Sequence, residues 1–228
     1  MKTNYISVLL SLLLSGCAIT KDGVTEKQTN KTKILVQAGI THGGIVENTD
    51  MKKIPGTEVD AFSGATKAGI NAGVHAKIPI GSNAAETGID YMLYNQEFTY
   101  NDGVNNYNGS KQIFTSQVAV PLTFNFSLLK RNHADKEFQF KIGYLANINF
   151  LSYSNEKGTL PEYSDTPFAH GFTLGLSTTP VLFENGNKLG LFLDMYRGSQ
   201  IYEDFYNQES FEMPGSSFFK IGVAYQFQ

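Results

Sequence analysis

From residue 33 to the end of the chain, apolar and polar residues alternate with a period of two, the repeat of an extended strand. The segment 66–80, "TKAGINAGVHAKIPI", shows the pattern best. Ala68, Ile70, Ala72, Val74, Ala76 and Ile78 fall on one face, and Lys67, Gly69, Asn71, Gly73, His75 and Lys77 on the other. Strands are predicted over 33–41, 66–80, 87–101, 112–129, 137–152, 169–184, 188–202 and 217–228, with no amphipathic helix between them. Phe and Tyr are frequent while Trp is absent, and Gly and Asn cluster between the strands, as turns require.

Strand length and loop length together choose the environment. Several predicted strands exceed the five or six residues of an average strand, whereas a tilted strand crossing a bilayer needs about nine to eleven. The alternation weakens beyond Leu93, which predicts a bulge or a membrane exit near Asn95. Long links such as "DGVNNYNGS" and "YSNEKGTLPEYSDTPF" alternate with short ones, "GSNAAE", "KRNHAD" and "NGN". Outer-membrane barrels carry long outside loops and short periplasmic turns. Unpaired backbone groups in hydrocarbon cost several kcal/mol each, so such a sheet must close on itself. The predicted fold is therefore all-β, a closed antiparallel up-and-down transmembrane β-barrel of about eight strands.

In that fold the apolar rows face lipid and the opposite rows fill the lumen. The predicted lumen residues are Gln37, Lys67, Asn71, His75, Lys77, Asp90, Gln117, Asn125, Lys141, Asn147, Asn149, Asp194, Lys220 and Gln226. Both charge signs occur among them, so a hydrogen-bonded and ion-paired plug is expected, because buried charges persist only when paired. Aromatic residues near strand ends, among them Phe98, Tyr100, Phe150, Tyr153, Tyr225 and Phe227, are candidates for interfacial girdles.

The first residues read as a secretion signal: Lys2, then the short apolar core "YISVLLSLLL". "LSGC" at 14–17 resembles a bacterial lipobox and marks Cys17, the only cysteine, for lipidation. Ordinary cleavage after Ala18 is the alternative. The expected organisation is a signal at 1–16, a polar tether at 17–32 and the barrel at 33–228. With no cysteine beyond 17, no disulfide can staple the barrel.

"AGINAGVHAKIPI", "GIDYMLYNQE", "VAVPL" with Pro121, "FKIGYLANINFLS", "GFTLGLS" and "KIGVAYQF" occur in this order. Together they resemble the PorT-like eight-stranded outer-membrane β-barrel domain of Bacteroidetes and related bacteria, over about 33–228. The resemblance implies fold and location but no settled activity. The terminal aromatic Phe227 is similar to the signal read by the barrel-assembly machinery, although Gln228 follows it.

A net charge of −3 gives no basic field for nucleic acid. Mean hydropathy of −0.20 excludes a helical membrane protein but not a barrel. No His, Cys or carboxylate set shows metal-ligand spacing, so neither metal nor cofactor is expected. Of the histidines, His42 and His133 are placed in loops, His75 in the lumen and His170 at the outer rim. The functional expectation is a non-enzymatic Gram-negative outer-membrane barrel with a structural or surface-interaction role. Its expected partners are outer-membrane lipids, lipopolysaccharide and an unidentified extracellular ligand. Two alternatives remain: a lipoprotein whose soluble barrel binds an apolar ligand, and a lipid-modifying barrel enzyme with Ser and His meeting at the outer rim.

Overall fold

The computed structural model describes residues 31–46, 65–102, 107–128, 137–157, 167–200 and 215–227. They form eight antiparallel strands: β1 (Lys33–Val46), β2 (Ala65–Ile80), β3 (Asn83–Asp102), β4 (Tyr107–Ser127), β5 (Phe138–Lys157), β6 (Phe168–Leu182), β7 (Lys188–Gln200) and β8 (Gly215–Gln226). Each strand pairs with its neighbour in sequence, and β8 closes on β1. The closing ladder runs from Leu35↔Gln226 to Val46↔Gly215, so the terminal strand is paired almost to its end. Its last link is the Phe227 amide donating to the Ile34 carbonyl at 2.8 Å.

Closure comes with stagger. Register partners lead from Lys33 through Lys77, Glu86, Thr123, Gly143, Thr173, Tyr196 and Phe218 back to Gly43, ten residues further along β1. Such a shear tilts the strands to about 35–45° from the barrel axis and leaves an interior just wide enough for side chains.

At one end the strands join through tight turns. Gly81-Ser82 links β2 to β3, with Gly81 at φ +63°, a conformation that only glycine adopts without strain. Gly186, at φ +82°, serves likewise between β6 and β7, where its amide donates to the Phe183 carbonyl. At the other end β3, β4 and β5, of 20, 21 and 20 residues, overshoot their neighbours. Pairing of β5 with β6 stops at Ile148↔Phe168, whereas β3 and β4 stay paired up to Asp102↔Tyr107. The predicted long link "DGVNNYNGS" is thus largely strand, and its length goes into a protruding hairpin. The predicted short link "GSNAAE" is shorter still, because β3 begins at Asn83.

Pro121 lies inside β4 and has no N–H to give to the ladder. The β3–β4 register passes from Thr87↔Leu122 to Asp90↔Ala119 across it, and the Thr87 hydroxyl donates to the Pro121 carbonyl at 2.8 Å. A proline is therefore accommodated without a change of register.

Polarity is inverted relative to a water-soluble protein. Ile34, Ile40, Ile70, Val74, Ile89, Leu122, Phe150, Phe172, Met195 and Val223 are exposed on the outer face. Gln37, Asn71, His75, Lys77, Glu86, Asp90, Gln117, Asn125, Lys141 and Lys220 are buried inside.

Candidate functional site: the charged lumen

Because strand residues alternate between faces, one polar residue in every two on each strand is delivered to the same narrow interior. The centre of the resulting network is His75 on β2. Its Nδ1 donates to Glu86 Oε1 at 2.7 Å and its Nε2 to Asp90 Oδ1 at 3.0 Å. Both nitrogens face carboxylate oxygens, so both carry a proton and the ring is an imidazolium. Lys220 donates to Asp90 Oδ2 at 2.6 Å. Lys141 bridges Glu86 Oε1, at 3.4 Å, and Asp194 Oδ1, at 3.3 Å. Asn125 Nδ2 completes the shell of Glu86 at 2.6 Å. Six strands are thereby tied through side chains as well as through the backbone.

Glycines make room for the acids. Gly73 stands opposite Asp90 and Gly175 opposite Asp194 in the register. A Cβ at Gly73 would strike Asp90 Oδ1, and one at Gly175 would strike Asp194 Oδ1. We therefore expect Gly73→Ala to displace the Asp90 carboxylate from His75 and to destabilise the barrel by about 1–3 kcal/mol, the usual cost of overpacking. Urea unfolding checks this; an unchanged midpoint would show that Asp90 is not held in place.

A second cluster closes the short-turn end. Glu137, just before β5, accepts from Lys77 at 2.5 Å and Lys188 at 3.3 Å and is ion-paired with Lys33 at 3.6 Å. Burial by itself would raise the Glu137 carboxyl; the ammonium charges of Lys77, Lys188 and Lys33 outweigh it and hold the group well below the usual carboxylate range. A depressed folded-state value means stability that is complete above the unfolded carboxylate range, near pH ~4.3, and lost as pH falls below it. The Glu137→Gln variant should lack that acid-limb loss. Urea midpoints at a series of acidic pH values, wild type against variant, measure the difference.

Toward the protruding end the lumen turns apolar. Met92, Ala119, Leu145, Tyr196 and Phe218 form one buried cluster, with Tyr196 stacked on Phe218 at 4.7 Å between centroids. The Tyr196 hydroxyl donates to Asn147 Oδ1 at 2.9 Å, and Asn147 and Gln117 both donate to Asn149 Oδ1. The interior is thus filled in three layers: lysines on Glu137, the His75 network, and an aromatic layer with an amide chain.

This geometry is shared with a known protein at the level of the fold. The chain is similar to the outer membrane protein OprG from Pseudomonas aeruginosa, with a TM-score of 0.50 and 10% identity, over 87% of this chain and 97% of that one. It also aligns with Ail, the attachment invasion locus protein of Yersinia pestis, solved with the heparin analogue sucrose octasulfate. That match has a TM-score of 0.35 and 10% identity, over 86% of this chain and 99% of that one. No family model matches the chain, and no curated protein matches it. The chain has the closed antiparallel barrel fold of OprG.

The predicted lumen residues divide clearly. Asn71, His75, Lys77, Asp90, Gln117, Lys141, Asn147, Asp194 and Lys220 are buried, as are Gln37, Asn125, Asn149 and Gln226. Lys67 is the correction: its side chain is 45% exposed and ion-paired with Glu97. The register shifts between Lys67 and Ile70, so one extra β2 residue is inserted opposite β3 and the face of Lys67 is reversed. The irregularity predicted near Asn95 is this bulge, which lies on the partner strand, while β3 itself continues to Asp102.

Glu86, Glu137 and Lys188 were not among the predicted residues. Glu86 lies in the predicted link "GSNAAE" yet shares the parity of Asp90; Glu137 shares that of Lys141, and Lys188 that of Asp194. Each lies two or three alternations beyond a predicted lumen residue of its own strand.

His42, predicted in a loop, lies within β1, where its ring contacts Phe219 at 5.3 Å. His170 faces outward and stacks on Tyr144 at 5.5 Å, while Ser199 Oγ accepts from its backbone amide, not from its ring. Phe150 and Phe227 are exposed on the outer face. Cys17, His133, the signal and most of the tether lie outside the described residues, as do the side chains of Phe98, Tyr100 and Tyr153. Among the described residues, no three His, Cys, Asp or Glu side chains are grouped to hold a metal ion.

Proposed function

We propose that the chain is a small outer-membrane β-barrel with a structural or surface-interaction role and no enzymatic activity. The observation that carries this reading is the inverted polarity: exposed apolar rows around a closed barrel whose interior is ionic. In water those rows would form an exposed apolar surface far larger than the few hundred Å² that soluble monomers tolerate. In a bilayer the same rows are solvated by lipid and the closed ladder leaves no edge.

The tight turns then lie on the periplasmic side, and the β3–β4–β5 ridge stands outside the cell, as the surface that meets partners. The lipobox-like "LSGC" and the fragments that resemble the PorT-like domain agree with envelope delivery. Lumen packing supports a structural barrel over a conducting pore. It also disfavours a soluble barrel holding an apolar ligand, which would turn Ile70, Val74 and Phe172 inward. Fractionation with gel lanes of boiled and unboiled samples tests the proposal. A heat-modifiable band in the outer membrane is expected; release of the protein by washing would overturn the reading.

A further inference from the structure

The outer face is largely apolar, and three of its exceptions stand together. Arg197 on β7 and His170 on β6 are exposed, and His42 on β1 is half-buried. All three share the outward parity of their strands. Phe172 pairs with Arg197, so His170, two residues away on the same face of β6, is its diagonal neighbour. On the other side Arg197 pairs with Ser217 of β8, and the next outward residue of β8, Phe219, pairs with His42. Arg197 and His42 are thus two strand spacings apart, about 10 Å.

Their height fixes their surroundings. Arg197 stands nine residues above Lys188, and His42 nine above Lys33. At about 3.3 Å per residue and a tilt of about 40°, both lie about 23 Å from the short-turn end. The apolar band of an outer-membrane barrel is about 25 Å tall, so the cluster sits at its outer margin. Immediately below, Phe172, Met195 and Phe219 are exposed, the first two at 74% and 60%. His170 itself contacts two aromatic rings, Tyr144 at 5.5 Å and Phe168 at 6.0 Å between centroids.

Charge is one-sided here. Strands β6, β7, β8 and β1 carry a single carboxylate, Asp194, and it points into the lumen. On β2, by contrast, the outward Lys67 is matched by Glu97 of β3. A guanidinium presents a planar fork that fits phosphate oxygens, and its five N–H donors let Arg197 serve a contact within the protein and a phosphate together. Each imidazole can donate an N–H whether charged or neutral. A basic cluster above exposed apolar side chains is complementary to a lipid with an anionic head and acyl chains.

We propose that this cluster binds a phosphorylated glycolipid of the outer leaflet, the lipid A part of lipopolysaccharide. Arg197 and His170 donate to one phosphate, His42 to the headgroup oxygens beside it, and the acyl chains run down over Phe172, Met195 and Phe219. The proposal rests on the outer-membrane reading, which puts this end of the barrel in the outer leaflet. Native mass spectrometry of the barrel in nonionic detergent tests it, titrating in turn bisphosphorylated lipid A, the same lipid stripped of phosphate, and phosphatidylglycerol. One lipid A per barrel should survive release from the micelle. Removing its phosphates should weaken binding about tenfold, the worth of one charge-assisted hydrogen bond, and phosphatidylglycerol should bind more weakly than lipid A. Arg197→Gln should weaken lipid A by a similar factor and leave the stripped lipid unchanged; a heat-modifiable gel band shows that the variant is folded. Equal binding of the stripped lipid or of phosphatidylglycerol, or undiminished binding of lipid A by Arg197→Gln, overturns the proposal while leaving the barrel in its membrane. A protein that stays soluble without detergent overturns the outer-membrane reading, and the proposal with it.

Discussion

Replacing Asp90 with alanine should lower the unfolding free energy by about 3–5 kcal/mol, the cost of stranding a buried charge. Asp90 is fully buried and holds two cations, Lys220 at 2.6 Å and His75 at 3.0 Å. Lys220 keeps only a longer contact to Asp194, at 3.8 Å, when Asp90 is gone. Repair should come from removing the stranded partner. The double variant Asp90→Leu, Lys220→Met replaces the ion pair by apolar side chains and should recover much of the loss. Urea unfolding of the double variant beside its own two singles, Asp90→Leu and Lys220→Met, gives the coupling energy directly. Additive losses would show that the pair does not act as a unit.

An arginine on the outer face should do comparable damage for the opposite reason. Val74 sits in the middle of the outward row Ile70, Ala72, Val74, Ala76 and Ile78 of β2, and it is exposed. In lipid, Val74→Arg places a charge near the hydrocarbon midplane, at a cost of about 2–4 kcal/mol. In water the same change would be close to neutral. The measurement is the unfolding midpoint in lipid vesicles, with Lys67→Arg, a rim position that already carries a charge, as the control. A neutral Val74→Arg would place the outer face in water.

These two positions also show what was legible in the sequence. Val74 and His75 are neighbours, and simple alternation assigns one to the outer face and the other to the lumen; the structure has them so. Parity holds wherever a strand is regular, because a shift of one residue would exchange its faces. It fails at Lys67, where a bulge inserts a residue that leaves no sign in composition. Strand ends were hard to place for a different reason. Asn83 and Glu86, or Tyr107 and Asn108, look like turn residues, and only pairing with Ile80 and Thr123, or with Asp102 and Asn101, makes them strand.

Lumen chemistry was legible as composition but not as geometry. Lys, Asp and His in the inward rows announce an ion-paired interior. Which lysine meets Asp90 depends on shear, a property of the closed barrel as a whole: Lys220 lies 130 residues from Asp90 in sequence. The aromatic layer leaves no such mark, because Met92, Leu145 and Phe218 are apolar residues in otherwise polar rows. A small barrel tolerates them there because its narrow interior must be filled as well as neutralised.

The central claim is that the outer rows of this barrel face lipid. Single cysteines carrying spin labels, placed along β2 from Asn71→Cys to Ile78→Cys in the reconstituted protein, test it most directly. Collision with oxygen, which partitions into lipid, should peak at positions 72, 74, 76 and 78. Positions 71, 73, 75 and 77 should be shielded from oxygen and from a water-soluble nickel reagent alike. Access of the nickel reagent to positions 72, 74 and 76 would contradict the account.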